Sequence, residues 1–115
     1  MISPLVGAWE AAWDTHQGLV IFTETHVVEL IMAKNRELFQ HENEPTEAEE
    51  AAAFRTLNGS AGTYSISGST ITADREITRI PNQTGKRVQY EFSIEGDMLT
   101  TKTPNGDTYV FRKVG

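Results

Sequence analysis

Tyr64-Ser65-Ile66-Ser67-Gly68-Ser69-Thr70-Ile71-Thr72 and Phe92-Ser93-Ile94-Glu95-Gly96-Asp97-Met98-Leu99-Thr100 are two copies of one pattern. Each reads as an aromatic residue, Ser, Ile, a tight turn containing Gly, and a returning strand that ends in Thr. Two-residue loops at Ser67-Gly68 and Glu95-Gly96 would pair Tyr64 with Ile71 and Phe92 with Leu99, giving each hairpin an apolar face and a hydroxyl-rich one. These hairpins predict strands four to seven. A further hairpin turning at Pro104-Asn105-Gly106-Asp107 adds an eighth strand from Thr108 to Val114.

Working back toward the N-terminus, Leu5 to Trp13 reads as a first strand with Leu5, Gly7, Trp9, Ala11 and Trp13 on one face, ended by a loop over Asp14 to Gly18. Leu19 to Thr23 is a short second strand. His26 to Lys34 is a third, too continuously apolar to show which face is inner. Thr46-Glu47-Ala48-Glu49 then signals a helix start, with Thr as the cap and Glu three positions on. Ala48, Ala51, Phe54 and Leu57 recur on one helical face, and Asn58-Gly59 reads as the stop. The expected architecture is all-β: an eight-stranded up-and-down antiparallel barrel over residues 1–115, with one short helix inserted between strands 3 and 4. An open sandwich is the competing arrangement.

The chain has 115 residues, a formal charge of -6 and no cysteine. Without thiols, neither a disulfide framework nor a thiolate metal site can form, and a reducing, cytoplasmic setting is the simplest expectation. No export signal or membrane-length apolar run is legible. Glu37, Glu42, Glu44, Glu47, Glu49 and Glu50 fall in one stretch without Lys or Arg, and the remainder is electrically balanced. That distribution argues against a phosphate-binding surface, so nucleic acid is not an expected partner. Asn58-Gly59-Ser60 and Asn82-Gln83-Thr84 match the glycosylation acceptor pattern but read as turns.

Gly7-Ala8-Trp9 on the first strand resembles the Gly-x-Trp signature of lipocalins and their calycin relatives. The wider pattern supports it: Gly18-Leu19-Val20-Ile21-Phe22, Leu30-Ile31-Met32 followed by Arg36 and Phe39, the Ala-rich Thr-x-x-Glu helix, and Gly62-Thr63-Tyr64. The chain as a whole is similar to the small bacterial lipocalin-like domain family. The resemblance implies a barrel whose first-strand Trp9 packs against a basic side chain of the last strand, and Arg112 is the matching candidate. The chain departs from secreted lipocalins in its shortness and lack of cysteines.

His16 and His26 flank strand two and therefore fall at opposite barrel ends, while His41 sits in the acidic loop, so no metal site is expected. Neither a Gly-x-Ser-x-Gly elbow nor a phosphate loop is present, and no cofactor is implied. Arg75 shares parity with Ile71 and Ala73, which points it inward unless a β-bulge turns it out. An inward guanidinium must pair, with Glu29 for instance, or hold an anion. Val88, Tyr90, Phe92 and Ile94 form a clear inward face, and inward phenols at Tyr64 and Tyr90 need hydrogen-bond partners. In the last strand a two-residue turn at Asn105-Gly106 would face Val110 and Arg112 inward, whereas a longer, bulged turn, the preferred reading, faces Tyr109 and Phe111 inward and leaves Arg112 outside.

The expected function is binding of a small hydrophobic or aromatic, anionic molecule inside the barrel. Trp13, Phe22, Met32, Phe54, Phe92 and Tyr109 would supply apolar walls; Tyr64, Tyr90 and Arg75 would be polar fixtures. Asn35 to Leu57 would be the lid. Two alternatives stand beside this reading: a cofactor-independent cyclase or isomerase in which Glu29 or His26 moves a proton, and a filled barrel acting through its surface, with a homodimer as a candidate assembly.

Overall fold

The computed structural model describes residues 3–115. Its strands are β1 (Gly7–Ala12), β2 (His16–Phe22), β3 (His26–Ala33), β4 (Leu57–Ser67), β5 (Thr70–Thr78), β6 (Arg87–Glu95), β7 (Met98–Lys102) and β8 (Thr108–Lys113), with helix α1 (Glu47–Arg55) between β3 and β4. Each strand pairs antiparallel with the next, and β1 meets β8 through Trp9↔Lys113 and Glu10↔Arg112. The sheet is thus a closed up-and-down barrel, an arrangement that removes free strand edges.

The two repeated hairpins are present, but their turns sit one residue later than the sequence suggests. The loops are Gly68-Ser69 and Gly96-Asp97, pairing Tyr64 with Ala73, Ile66 with Ile71, Phe92 with Thr101 and Ile94 with Leu99. Each Gly takes a positive φ at the first central position, and no other residue type does so among the described residues, which is the type II′ pattern. Moving a turn by one residue moves every cross-strand partner by two. The inner and outer faces are therefore preserved.

Two local signals were overridden by the sheet. The capping box forms as read, with Thr46 Oγ1 accepting from the Glu49 backbone N–H at 3.2 Å and Glu49 Oε1 accepting from that of Thr46 at 2.9 Å. The helix nevertheless ends at Arg55 with Thr56 as its C-cap. Leu57, Asn58 and Gly59, expected to finish and stop it, instead begin β4 opposite Met32, Ile31 and Leu30. Likewise His16, Gln17 and Gly18 belong to β2, not to a loop, because they continue the ladders with β1 and β3.

The bulge weighed for strand five exists, but beyond Arg75. Ala61 pairs with Ile77 and Gly62 with Arg75, leaving Glu76 as the extra residue. Arg75 thus keeps its inward parity, and Ile77 is turned outward. Gly62 is required here, since a Cβ would lie 1.8 Å from the Asp74 carbonyl oxygen.

One end of the barrel is filled. Leu5, Trp9 and Ile71 are almost completely buried there, and Leu99, equally buried, separates them from the space beyond. The Trp9 indole N–H donates to the Leu5 carbonyl at 2.9 Å, so its burial leaves no orphaned donor. The basic cover of this indole is Lys113, whose Nζ lies 5.6 Å from the ring centroid, not Arg112. The register explains the correction. Lys113 is the direct partner of Trp9 and shares the inward parity of Phe111, whereas Arg112 pairs with Glu10 on the outer face and forms an exposed ion pair with its carboxylate.

Candidate functional site

At the opposite end, where β1, β3, β5 and β7 finish, the alternating inward positions do not meet across the barrel. They leave an open cavity of about 520 Å³, within the range of small-molecule sites. Of the residues expected there, Trp13, Phe22, Arg75, Tyr90 and Tyr109 line it. Trp13 anchors the mouth: its indole N–H donates to the Val110 carbonyl at 3.0 Å, and its ring lies 5.3 Å from Tyr109 and 5.8 Å from Phe111. The longer last turn is present, and Tyr109 and Phe111 face the cavity as it requires. Phe22 closes the floor.

Three of the expected wall residues and one polar fixture lie elsewhere. Val27 is buried and Glu29 and Ile31 line the cavity, which settles the face of β3 and puts Met32 on the outer wall beside Leu57. Phe54 is half exposed on α1, with the Arg79 guanidinium 4.4 Å above its ring, because the helix flanks the mouth without entering it. Phe92 points inward but packs into the core without lining the cavity. Tyr64 packs edge-on against Phe22 toward the filled end, and its hydroxyl donates to the Thr23 carbonyl at 2.5 Å. Its phenol is thus satisfied by a neighbour.

The polar heart of the cavity is Glu29, Arg75 and Tyr90. Arg75 donates to the Gln83 side-chain oxygen at 3.1 Å, where the short helical turn Pro81–Gln83 folds back over the end of β5. Glu29 comes within no ion-pair distance of it; the ion pairs among the described residues are Arg87–Asp74 and Arg112–Glu10. Burial holds the Glu29 carboxyl above its ordinary range, partly opposed by the Arg75 charge. Burial, with the Glu29 charge adding to it, pushes the Tyr90 phenol up as well, so it remains a protonated donor at neutral pH. Among the described residues neither the Tyr90 hydroxyl nor the Glu29 carboxylate finds a hydrogen-bonding partner in the protein.

Glu29 is the cavity residue that the sequence could not assign, because the facing of its strand was open. Thr101 and Thr103 also line the cavity, and their shared parity with Leu99 was the available signal. His26 sits at the filled end with its ring bonded to Thr25 at 2.7 Å, so it is not placed to move a proton in the cavity; His16 lies at the mouth instead. Among the described residues no cluster of three or more His, Asp or Glu side chains could hold a metal ion, and no helix is long and apolar enough to cross a membrane.

The segment from Asn35 to Leu57 borders the mouth, with Arg55, Thr56 and Leu57 on the rim. Arg36 ties it down by donating to Thr56 Oγ1 at 3.0 Å and to the Ala53 carbonyl at 3.2 Å. None of the α1 residues is buried.

Comparison with known proteins follows the same lines. The barrel is similar to the crystal structure of an uncharacterized protein from Bacteroides eggerthii DSM 20697, with a TM-score of 0.56 and 13% identity over 96% of this chain and 99% of that one. At that identity the likeness is one of fold alone. No curated protein matches the chain significantly. A family model described as the lipocalin-like domain matches residues 12–111. This barrel architecture is one suited to holding a ligand in its interior, and by that match the chain belongs to the lipocalin-like domain family.

Proposed function

We propose that the barrel binds a small, largely apolar, aromatic molecule bearing one anionic group, which Arg75 receives. The observation that carries this reading is the guanidinium itself: it faces the cavity, bonded to the neutral Gln83 side chain and to no acidic partner. A half-buried guanidinium whose acidic neighbour in the cavity, Glu29, is held toward its neutral form by burial gains from a further counter-charge. Trp13, Tyr109 and Phe111 form an aromatic flank at the mouth, the surroundings an aryl group prefers. Tyr90, as a donor, and Glu29 supply two further polar contacts. The absence of cysteine fits a reducing, cytosolic setting.

Native mass spectrometry of gently purified protein tests the reading, followed by titration with aryl carboxylates. Retention of an apolar acid, or saturable binding of the carboxylates that Arg75→Met weakens by about 2 kcal/mol, is the expected result. Absence of both would overturn it. A second reading, cofactor-independent isomerisation or cyclisation, is favoured by one observation: a carboxyl with a raised pKa faces a cation and a phenol. Conversion of a recovered ligand into an isomer of equal mass by fresh protein would select it.

A further inference from the structure

The outer wall of the barrel has two unlike halves. On β6 the outward positions are Arg87, Gln89, Glu91, Ser93 and Glu95, all exposed and polar. On β2 to β4 the register instead lines apolar side chains into rows. Ala8, Ile21, Val28, Ala61 and Ile77 form one row across five strands. Leu19 and Leu30 form the next, with Leu30 lying over Gly59, and Met32 with Leu57 the third. Leu30 is 53% exposed and Ile77 71%. A shallow outer groove of about 500 Å³ runs along Leu19, Leu30, Met32 and Leu57, with Glu10, Gln17 and Lys34 on its polar border.

Single exposed apolar residues need no explanation, but contiguous rows do. The sequence of β3 carries the same message. HVVELIMA does not alternate because it is apolar outside as well as inside, the composition of a strand covered on both faces.

We propose that this wall is where two copies of the chain meet, packed face to face about a two-fold axis that lies in the contact plane and crosses β3 near Glu29. The charges at the two borders of the wall select this arrangement. Exposed Glu24 lies in the turn before β3 and exposed Lys34 just after it, equidistant along the chain from Glu29. Antiparallel packing about the stated axis sets Glu24 of each copy against Lys34 of the other. It also lays the Ile21 and Val28 row on the Leu19 and Leu30 row. The parallel alternative would bring Lys34 onto Lys34 and Glu24 onto Glu24, which like charges disfavour. An isologous contact needs just such a self-complementary patch.

Because the closed barrel curves β1 and β5 away to its flanks, the three strands β2 to β4, about 4.8 Å apart and each with seven residues rising about 3.3 Å, are what can face a partner, a patch roughly 10 by 23 Å. That is below the size of standard specific interfaces, so a weak, reversible dimer with a dissociation constant on the order of hundreds of micromolar is expected. Both cavity mouths stay uncovered, and the dimer stands or falls separately from ligand binding.

Analytical ultracentrifugation of the full chain, from about 1 μM to 1 mM so as to bracket such an affinity, tests the proposal, with circular dichroism to verify that each surface variant is folded. A monomer–dimer equilibrium is expected, weakened at least tenfold by Leu30→Lys. Glu24→Lys and Lys34→Glu should each weaken it, and the two together should restore it. A chain monomeric throughout, a dimer indifferent to Leu30→Lys, or a double variant no better than the single ones would each overturn the proposal. A monomer that co-sediments with phospholipid vesicles would assign the wall to a bilayer and overturn it equally.

Discussion

The filled end and the open end of this barrel are built from the same strands, yet their inward positions carry different chemistry. At the filled end Leu5, Trp9 and Ile71 are almost completely buried, with Leu99 beside them at the cavity floor, and the one buried polar atom of Trp9 is bonded within the chain. At the open end, Glu29, Arg75 and Tyr90 take the corresponding positions around empty space, two of them without a partner in the protein. Apolar burial stabilises roughly in proportion to area, whereas sequestered, unpaired polar groups cost stability. Stability is therefore concentrated at one end and binding capacity at the other.

The largest effect that could break this contrast is Trp9→Ala, expected to destabilise the fold by about 3–5 kcal/mol, since it empties the most tightly enclosed site. Denaturant titration measures it. A loss under about 1 kcal/mol, the range of surface substitutions, would show that the filled end does not carry the fold.

A smaller effect of opposite sign is expected from Glu29→Gln. The folded-state pKa of Glu29 is raised above the ordinary 4.5, so the native chain holds that proton more tightly than the unfolded chain does. Its contribution to stability is full below the ordinary value and lost as pH rises through the raised one. The Gln variant should thus be more stable than the wild type at neutral pH, with the difference closing on acidification. Asp74, held low by its hydrogen bonds with Arg87, works in the other direction: its contribution is present above its ordinary value and fades as pH falls. A pH-independent difference between the Gln variant and the wild type would contradict the burial of Glu29 as a charged group.

What could be read from the sequence follows the same division. Strands with strict alternation, Val88 to Ile94 above all, were legible because one face is core and the other water. His26 to Ala33 was not, because both of its faces are apolar, and that left Glu29 a candidate without an assigned facing and misplaced Met32. Arg75 was found by parity alone; the same parity carried on would put Ile77 inside, but a bulge of one residue lies between them and turns it out. Local helix and turn signals failed at Leu57 to Gly59, where ladder bonds to β3 outweigh capping preference. Trp9 was identified correctly as the residue under a basic cover, but the covering residue depended on how β1 meets β8 at the barrel closure, where Trp9 lies opposite Lys113.

The smallest expected effect is at the outer surface beside the filled end. Arg112→Ala removes an exposed ion pair with Glu10 and should cost only about 0.2–1 kcal/mol of stability, with ligand affinity unchanged. A larger loss, read by thermal unfolding, would mean that Arg112 supports the indole after all.

The claim that the open end recognises an anion is tested most directly by a double-mutant cycle between Arg75 and the ligand's charge. Calorimetric titration of wild type and Arg75→Met would use naphthalene-2-carboxylate and its neutral carboxamide, two probes of nearly equal shape. The expected coupling is about 2 kcal/mol: the substitution weakens the carboxylate about 30-fold and leaves the carboxamide nearly unaffected, with the fold intact. Equal losses for both probes, or a coupling near zero, would contradict an anion-binding role for Arg75.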